Sequence, residues 1–124
     1  MSYSVIETPP QIERAEVGDG RLTVHLSDGR SLSVPLDWYP RLAFATPEEL
    51  AVVETEGEDL EWPLLNETIP LRALLEGRPS QEGARSLARW KALMERRRAQ
   101  IARGEEPEPH YPTLPLPEGW EAEP

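Results

Sequence analysis

The stretch Leu36-Asp37-Trp38-Tyr39-Pro40-Arg41-Leu42 constrains this chain more than any other. Before it, apolar and polar residues alternate, the period of a half-buried strand. Within it, two adjacent aromatics and a proline end that alternation. Asp37 can accept a hydrogen bond from the backbone of the next turn, as an N-cap does. Pro40 then falls in the first helical turn, where a missing N–H costs nothing. Trp38, Tyr39, Leu42 and Phe44 give a short helix a large apolar area, because aromatics bury the most area per residue. The expectation is a strand-to-helix hinge whose helix plugs one end of a sheet, rather than a ligand-stacking aromatic pair.

Upstream, residues 1–10 end in Thr8-Pro9-Pro10 and read as an extended N-terminal arm. Residues 12–17 alternate loosely as a first strand, and Gly18-Asp19-Gly20 marks a turn. Leu22, Val24 and Leu26 alternate with polar residues, as do Leu32, Val34 and Leu36 beyond the next break. A two-residue Asp28-Gly29 loop would set Val24 opposite Ser33 and mix the faces. A three-residue loop, Ser27-Asp28-Gly29, pairs Val24 with Leu32 and Leu22 with Val34, and only this register keeps one face apolar. Gly29 should then be left-handed in a bulge. Pro35 cannot donate to a ladder, so this third strand reads as an edge.

Downstream, Thr46-Pro47-Glu48-Glu49 carries a capping box with proline at the first helical position. Residues 51–54 read as a strand, residues 57–59 as a turn and residues 60–64 as the returning strand. Asn66 is expected to cap a short helix bearing Ile69, Leu71, Leu74 and Leu75, stopped by Gly77 and Pro79. The fold class is α+β: a small antiparallel sheet with short helices on one side, then one long C-terminal helix and an extended proline-rich tail. The divisions are an arm at 1–10, an α+β core at 11–79, a basic amphipathic helix at 80–103 and an acidic tail at 104–124.

Several chemistries are disfavoured. The 124 residues contain no cysteine, which removes thiolate metal sites, cysteine nucleophiles and disulfides, and fits a reducing compartment. No apolar run is long enough to cross a bilayer. Met1-Ser2-Tyr3-Ser4 has neither the basic nor the apolar region of a signal peptide, so a cytoplasmic location and no membrane partner are expected. His25 falls on the polar face of its strand and reads as a solvated residue, with no serine, carboxylate or second histidine at a spacing that would orient it. The cluster Glu54, Glu56, Glu58, Asp59 and Glu61 reads as a solvated sheet edge rather than a metal site. No catalytic residue, metal or cofactor is assigned, and the chain is expected not to be an enzyme.

The run from about Gln11 to Pro79 resembles a family of small bacterial domains of unknown function, the one numbered 2442. The matching residues are Leu26-Ser27-Asp28-Gly29-Arg30, Pro35-Leu36-Asp37-Trp38-Tyr39-Pro40-Arg41-Leu42, Ala45-Thr46-Pro47-Glu48-Glu49, Leu60-Glu61-Trp62-Pro63 and Leu74-Leu75-Glu76-Gly77. The resemblance implies a small α+β domain, strands first, with short helices on one side. It implies no catalytic residues. Some members carry a C-terminal DNA-binding domain, and some look like the partner half of a toxin–antitoxin-type gene pair. Aspartate is usual in the family where Asn66 stands, and beyond Pro79 the resemblance ends.

The remainder is distinguished by charge. Residues 1–80 have a net charge of −9, residues 81–103 of +5 and residues 104–124 of −6. A basic block between acidic ones implies a polar interface or self-contact. With Ser80 as N-cap, the chain to Arg103 is rich in helix formers, and Ala84, Leu87, Trp90, Met94 and Ile101 form one apolar stripe. Such a helix would be about 35 Å long. Arg85, Arg89, Lys91, Arg96, Arg97, Arg98 and Arg103 occupy its other faces, and Gly104 ends it. Six prolines in residues 105–124 forbid a helix there. Tyr111, Leu114, Leu116 and Trp120 are spaced as anchors that dock in a partner's groove, or that fold back with the tail onto the helix's own arginines.

The expected role is a non-enzymatic protein-binding subunit, antitoxin-like or an accessory component of a bacterial complex. The helix and tail would hold a partner protein, a toxin or a larger complex subunit, through Trp90, Met94, Tyr111, Leu114, Leu116 and Trp120. If that partner had a basic cleft, the acidic tail could occupy it. Pairing of the helix with a second copy is also compatible with its length. The alternative is a DNA-binding transcriptional regulator contacting phosphates through Arg89, Arg96, Arg97 and Arg98, against which an acidic tail follows at once; the same four arginines could instead contact an acidic partner. An enzyme using paired carboxylates is the third reading.

Overall fold

A computed structural model describes residues 10–110. The chain divides into two compact units, one ending at Pro79 and the other beginning at Ser80. The first is α+β and holds two three-stranded antiparallel meanders, β1-β2-β3 and β4-β5-β6.

Strand β1 (Ile12–Gly18) turns into β2 (Arg21–Leu26) through Asp19-Gly20, both left-handed, with φ of 54° and 72°. That is the Asp-Gly hairpin turn whose twist suits two strands. The β2–β3 hairpin (β3, Ser31–Pro35) has the register that keeps one face apolar, Leu22 opposite Val34 and Val24 opposite Leu32. Its three-residue loop is closed by Leu26 N–H to Arg30 O at 2.8 Å, and Gly29 has φ of 92°. Pairing between β1 and β2 slips between Ile12 and Arg14, leaving Glu13 as an extra residue. This bulge explains the loose alternation of the first strand. Ile12 opposes Leu26, while Ala15 and Val17 oppose Val24 and Leu22, so the inward parity changes from even to odd at Glu13.

After β3 the chain makes a 3-10 turn, Leu36–Trp38, then helix α1 (Pro40–Phe44) with Pro40 at its first position. The cap differs from expectation. Tyr39 is the N-cap of α1, Pro35 that of the 3-10 turn, and neither is capped by a side chain, so Asp37 is no N-cap. Tyr39 and Leu42 are buried. Tyr39 donates its hydroxyl to the carbonyl of Arg78 at 2.9 Å. Helix α2 (Pro47–Ala51) has the full capping box: Glu49 N–H to Thr46 Oγ1 at 3.2 Å and Thr46 N–H to Glu49 Oε1 at 2.9 Å.

Two elements of the second sheet are displaced from where the sequence placed them. Ala51 ends α2, so β4 starts only at Glu54 (Glu54–Glu56) and pairs with β5 (Asp59–Trp62). Asn66 does not cap a helix. It takes a left-handed φ of 52° in the four-residue loop from β5 into β6 (Glu67–Pro70), and its carbonyl accepts from buried Arg41 at 2.8 Å. Ile69 therefore sits on a strand opposite Leu60, and helix α3 (Leu71–Leu75) begins after Pro70. Cross-strand burial of a β-branched residue has overridden the local capping signal. Gly77, at φ of 70°, ends α3 with Arg78 N–H on Ala73 O and Gly77 N–H on Leu74 O, a Schellman motif.

The second unit contains α4 (Ala84–Ala102). It starts three residues later than the sequence implied. Ser80 does not cap it: its hydroxyl accepts from Glu82 N–H at 3.2 Å in a local turn, and extended Gly83 is the N-cap. At 19 residues α4 is about 28 Å long rather than 35 Å.

Tyr39 supplies a test. Burial, and next the negative charge of Glu67, push its hydroxyl above the ordinary 10.0. The folded state then holds the proton more tightly than the unfolded chain. This contribution is full below pH 10 and is lost as pH rises through the raised value. Tyr39→Phe should lower stability by about 1 kcal/mol at neutral pH, measured by urea denaturation, and should flatten the fall in stability above pH 10.

Candidate functional site

Among the described residues, the last two turns of α4 and the residues after them form the most highly organised polar arrangement. Gly104, at φ of 78°, reverses the backbone in a second Schellman motif, with Glu105 N–H on Gln100 O at 2.9 Å and Gly104 N–H on Ile101 O at 3.0 Å. The reversed chain leads Glu108 back to Arg96, Arg97 and Gln100. Arg96 holds both carboxylate oxygens of Glu108, Nε to Oε2 at 3.1 Å and a terminal nitrogen to Oε1 at 3.2 Å. Gln100 Nε2 donates to Oε2 at 3.0 Å, and Gln100 Oε1 accepts from the Glu108 backbone N–H at 2.9 Å. Arg97 donates to the Glu108 carbonyl. Thus one glutamate has its carboxylate, its N–H and its C=O all engaged by a single helical turn. Arg96 and Gln100, four residues apart, are neighbours on a helix surface. Nearby, Arg103 pairs with Glu105 at 2.8 Å.

The electrostatics follow from these contacts. The hydrogen bond from Arg96, with support from Gln100 and the charge of Arg97, holds the Glu108 carboxyl below the ordinary 4.5. Arg103 lowers Glu105 in the same way, and Glu105 raises Arg103.

The residues singled out in the sequence are distributed unevenly around this site. Arg96 and Arg97 belong to it; Arg89 and Arg98 are half-buried elsewhere on α4. Trp90 and Met94 do not present a surface: they are 2 % and 1 % exposed, and with Leu93 they are the buried residues of the helix. Both lie on a stripe of helical period and neither is exposed, where the expectation was a pair of partner anchors. The exposed large apolar member is Ile101, at 58 %. Tyr111, Leu114, Leu116 and Trp120 lie outside the described residues. Gln100 and Glu108 were not singled out. Their signal was the four-residue spacing from Arg96 to Gln100, the reversal at Gly104, and Pro107 and Pro109 flanking Glu108.

His25 also requires correction. It is not without partners: Nδ1 lies 2.9 Å from Ser31 Oγ and Nε2 lies 3.1 Å from Glu16 Oε1, while Arg14 also holds Glu16, at 2.6 Å. The serine was readable from the hairpin register, which sets Ser31 opposite His25. The glutamate was not, because only the bulge at Glu13 brings Glu16 to that face. The array lies on the polar face of an antiparallel sheet. Backbone N–H groups run in the plane of a sheet and serve its ladders, so any donor to a substrate on this face would have to come from a side chain. Arg14 and Glu16 are exposed.

Among the described residues, no group of three or more His, Cys, Asp or Glu is placed to hold a metal ion, and no helix is long and apolar enough to cross a membrane. A shallow depression lined by Gln11, Glu58, Asp59, Arg72 and Arg78 mixes both signs of charge.

The first unit is thus a small two-sheet α+β domain with short helices after its third and sixth strands. The chain belongs to the family described as protein of unknown function (DUF2442), whose pattern matches residues 12–80, more than half of its length. A crystal structure of a protein of unknown function from Rhodospirillum rubrum is similar, with a TM-score of 0.54 and 24% identity over 60% of this chain and 95% of that one. A solution NMR structure of an uncharacterised protein from Chromobacterium violaceum has a TM-score of 0.51 and 26% identity over 64% of this chain and 74% of that one. No curated protein matches. Helix α4 and the Glu108 contacts lie beyond the family match.

Because the folded value of Glu108 is depressed, its attachment to α4 is complete above pH 4.5 and is lost as pH falls through that lower value. Carboxyl-detected NMR titration should place the Glu108 midpoint below 4.5, and Arg96→Ala should return it toward 4.5.

Proposed function

We propose that this chain is a non-enzymatic protein-binding subunit, an antitoxin-like or accessory component of a bacterial complex, which holds its partner through α4 and the residues after it. The observation that carries this reading is the nature of the attachment of residues 105–108. Beyond the cap at Gly104, the bonds described for Glu105 and Glu108 run through arginine and glutamine side chains at the surface. Surface ion pairs are worth only about 0.2–1 kcal/mol each, so an acidic segment held this way exchanges readily with an outside competitor. Ile101 stands exposed within a turn of Arg97 and Arg98, an apolar centre with a charged rim. The antitoxin-like part of the reading rests on the family, some of whose members look like one half of a toxin–antitoxin-type pair.

The sheet face around His25 does not support hydrolysis as strongly, since its backbone N–H groups serve the ladders and are not aimed at a substrate on the face. DNA binding by α4 is disfavoured by the Glu108 carboxylate seated on Arg96, one of the four arginines that phosphates would need.

The test is capture from the native host with the full chain, a version ending at Gly104, and Ile101→Glu, with bound proteins identified by mass spectrometry. One stoichiometric protein should be captured by the full chain, lost or strongly weakened with Ile101→Glu, and changed in amount by the version ending at Gly104, which lacks both the competing glutamate and the residues that follow it. Capture unchanged by truncation and by Ile101→Glu would remove this end of the chain from the interface.

A further inference from the structure

We propose that Arg96, Arg97 and Gln100 form a receptor for a glutamate in an extended peptide, that Glu108 fills it in cis, and that the partner is a protein presenting such an acidic extended segment. This rests on the protein-binding reading above and names the chemistry of the partner.

The seated residue defines what the receptor reads. Arg96 takes the carboxylate as a two-pronged fork, the geometry that suits a planar anion. That alone would serve a phosphate equally well. The other contacts would not. Gln100 offers its carbonyl oxygen to a peptide N–H and its amide to the carboxylate of the same residue, and Arg97 reaches that residue's C=O. A sugar–phosphate backbone carries no N–H to give to Gln100 Oε1. The turn is matched to a peptide glutamate, donor for acceptor, on three sides.

The occupant shows the backbone shape required. Glu108 lies between Pro107 and Pro109. A following proline drives a residue to the extended region, and each proline fixes its own φ. Pro-Glu-Pro is therefore stiff and extended before it binds, and little chain entropy is lost on seating. A partner segment of the same kind, glutamate flanked by prolines, would meet the same contacts at similarly low entropic cost. The cis segment competes from a high effective concentration, since only a short connection joins it to the helix. An outside peptide therefore binds the intact chain more weakly than a chain whose own glutamate has been removed.

The experiment uses the full chain and a fluorescein-labelled peptide of its own residues 104–110, Gly-Glu-Glu-Pro-Glu-Pro-His. Glu108→Ala should bind this peptide with a chemical-shift change at the Gln100 side-chain amide. The wild-type chain should bind it about fivefold more weakly, the scale of one exposed charged pair. The double variant Arg96→Ala/Glu108→Ala should lose binding, as should a peptide with glutamine in place of its third glutamate. Equal affinity for wild type and Glu108→Ala, or binding that survives loss of Arg96, would overturn the proposal. A single-stranded oligonucleotide that displaces the peptide and binds more tightly than it would show a surface that reads phosphate, and would also overturn it. So would a wild-type dimer in sedimentation that Arg96→Ala dissolves, since the second occupant would then be another copy of this chain. If the peptide results fail but the host partner is still captured through this end of the chain, the protein-binding reading stands and only the receptor falls. If capture fails as well, both fall.

Discussion

A three-residue loop closed by a left-handed glycine decides which side of β2 and β3 faces inward. Side chains alternate across a strand, so a shift of one residue would turn Leu22, Val24 and Val34 outward together. With Gly29 at φ of 92°, the loop holds the one register that buries all three. The first strand fits this arrangement only through its extra residue at Glu13. The 3-10 turn then begins at the far end of β3, where Leu36 N–H meets Gly20 O at 2.9 Å. Loop geometry, strand parity and the entry into α1 are thus one connected constraint.

The features legible in the sequence came from short-range chemistry. The β2–β3 register, the capping box of Thr46 and Glu49, Pro40 at the head of α1, and the stops at Gly77 and Gly104 each depend on residues a few positions apart. The errors came where tertiary pairing outweighed a local signal. Asn66 resembles a helix cap, but the pairing of Ile69 with Leu60 makes the next residues a strand. Ser80 resembles one too, but its hydroxyl serves Glu82 locally and the helix waits for Ala84. At the candidate site the arginines were visible as charge. A self-contact with the acidic tail was one of two open readings, but Glu108 as the seated residue was not legible, because the reversal that carries it back depends on the cap geometry at Gly104 and not on any period in the sequence. Trp90 and Met94 show the converse: the stripe was legible, but a stripe does not say whether its residues meet the same chain or another.

The charge distribution has a structural counterpart. A chain of net charge −10 places six of its thirteen positive residues on one helix, with glutamates shortly after them. Charge of one sign kept on a single element would attract any polyanion through long-range fields. Glu105 and Glu108 limit that by pairing with Arg103 and Arg96. Selectivity at such a surface comes from the directional groups, Gln100 above all, since a primary amide carries no net charge and rewards only a partner with a donor and an acceptor in the right places.

The bond from Tyr39 to the carbonyl of Arg78 ties the end of the family domain to its middle. With Gly77 fixing the direction of the backbone just before it, the point at which the chain leaves this domain is set by the domain's own core. Any C-terminal extension is attached to a defined exit rather than to a frayed end. That makes residues 78–80 a natural splice junction. A different helix, or a reporter, grafted there would start from the same exit, because the bond from Tyr39 and the reversal at Gly77 both lie within the family domain.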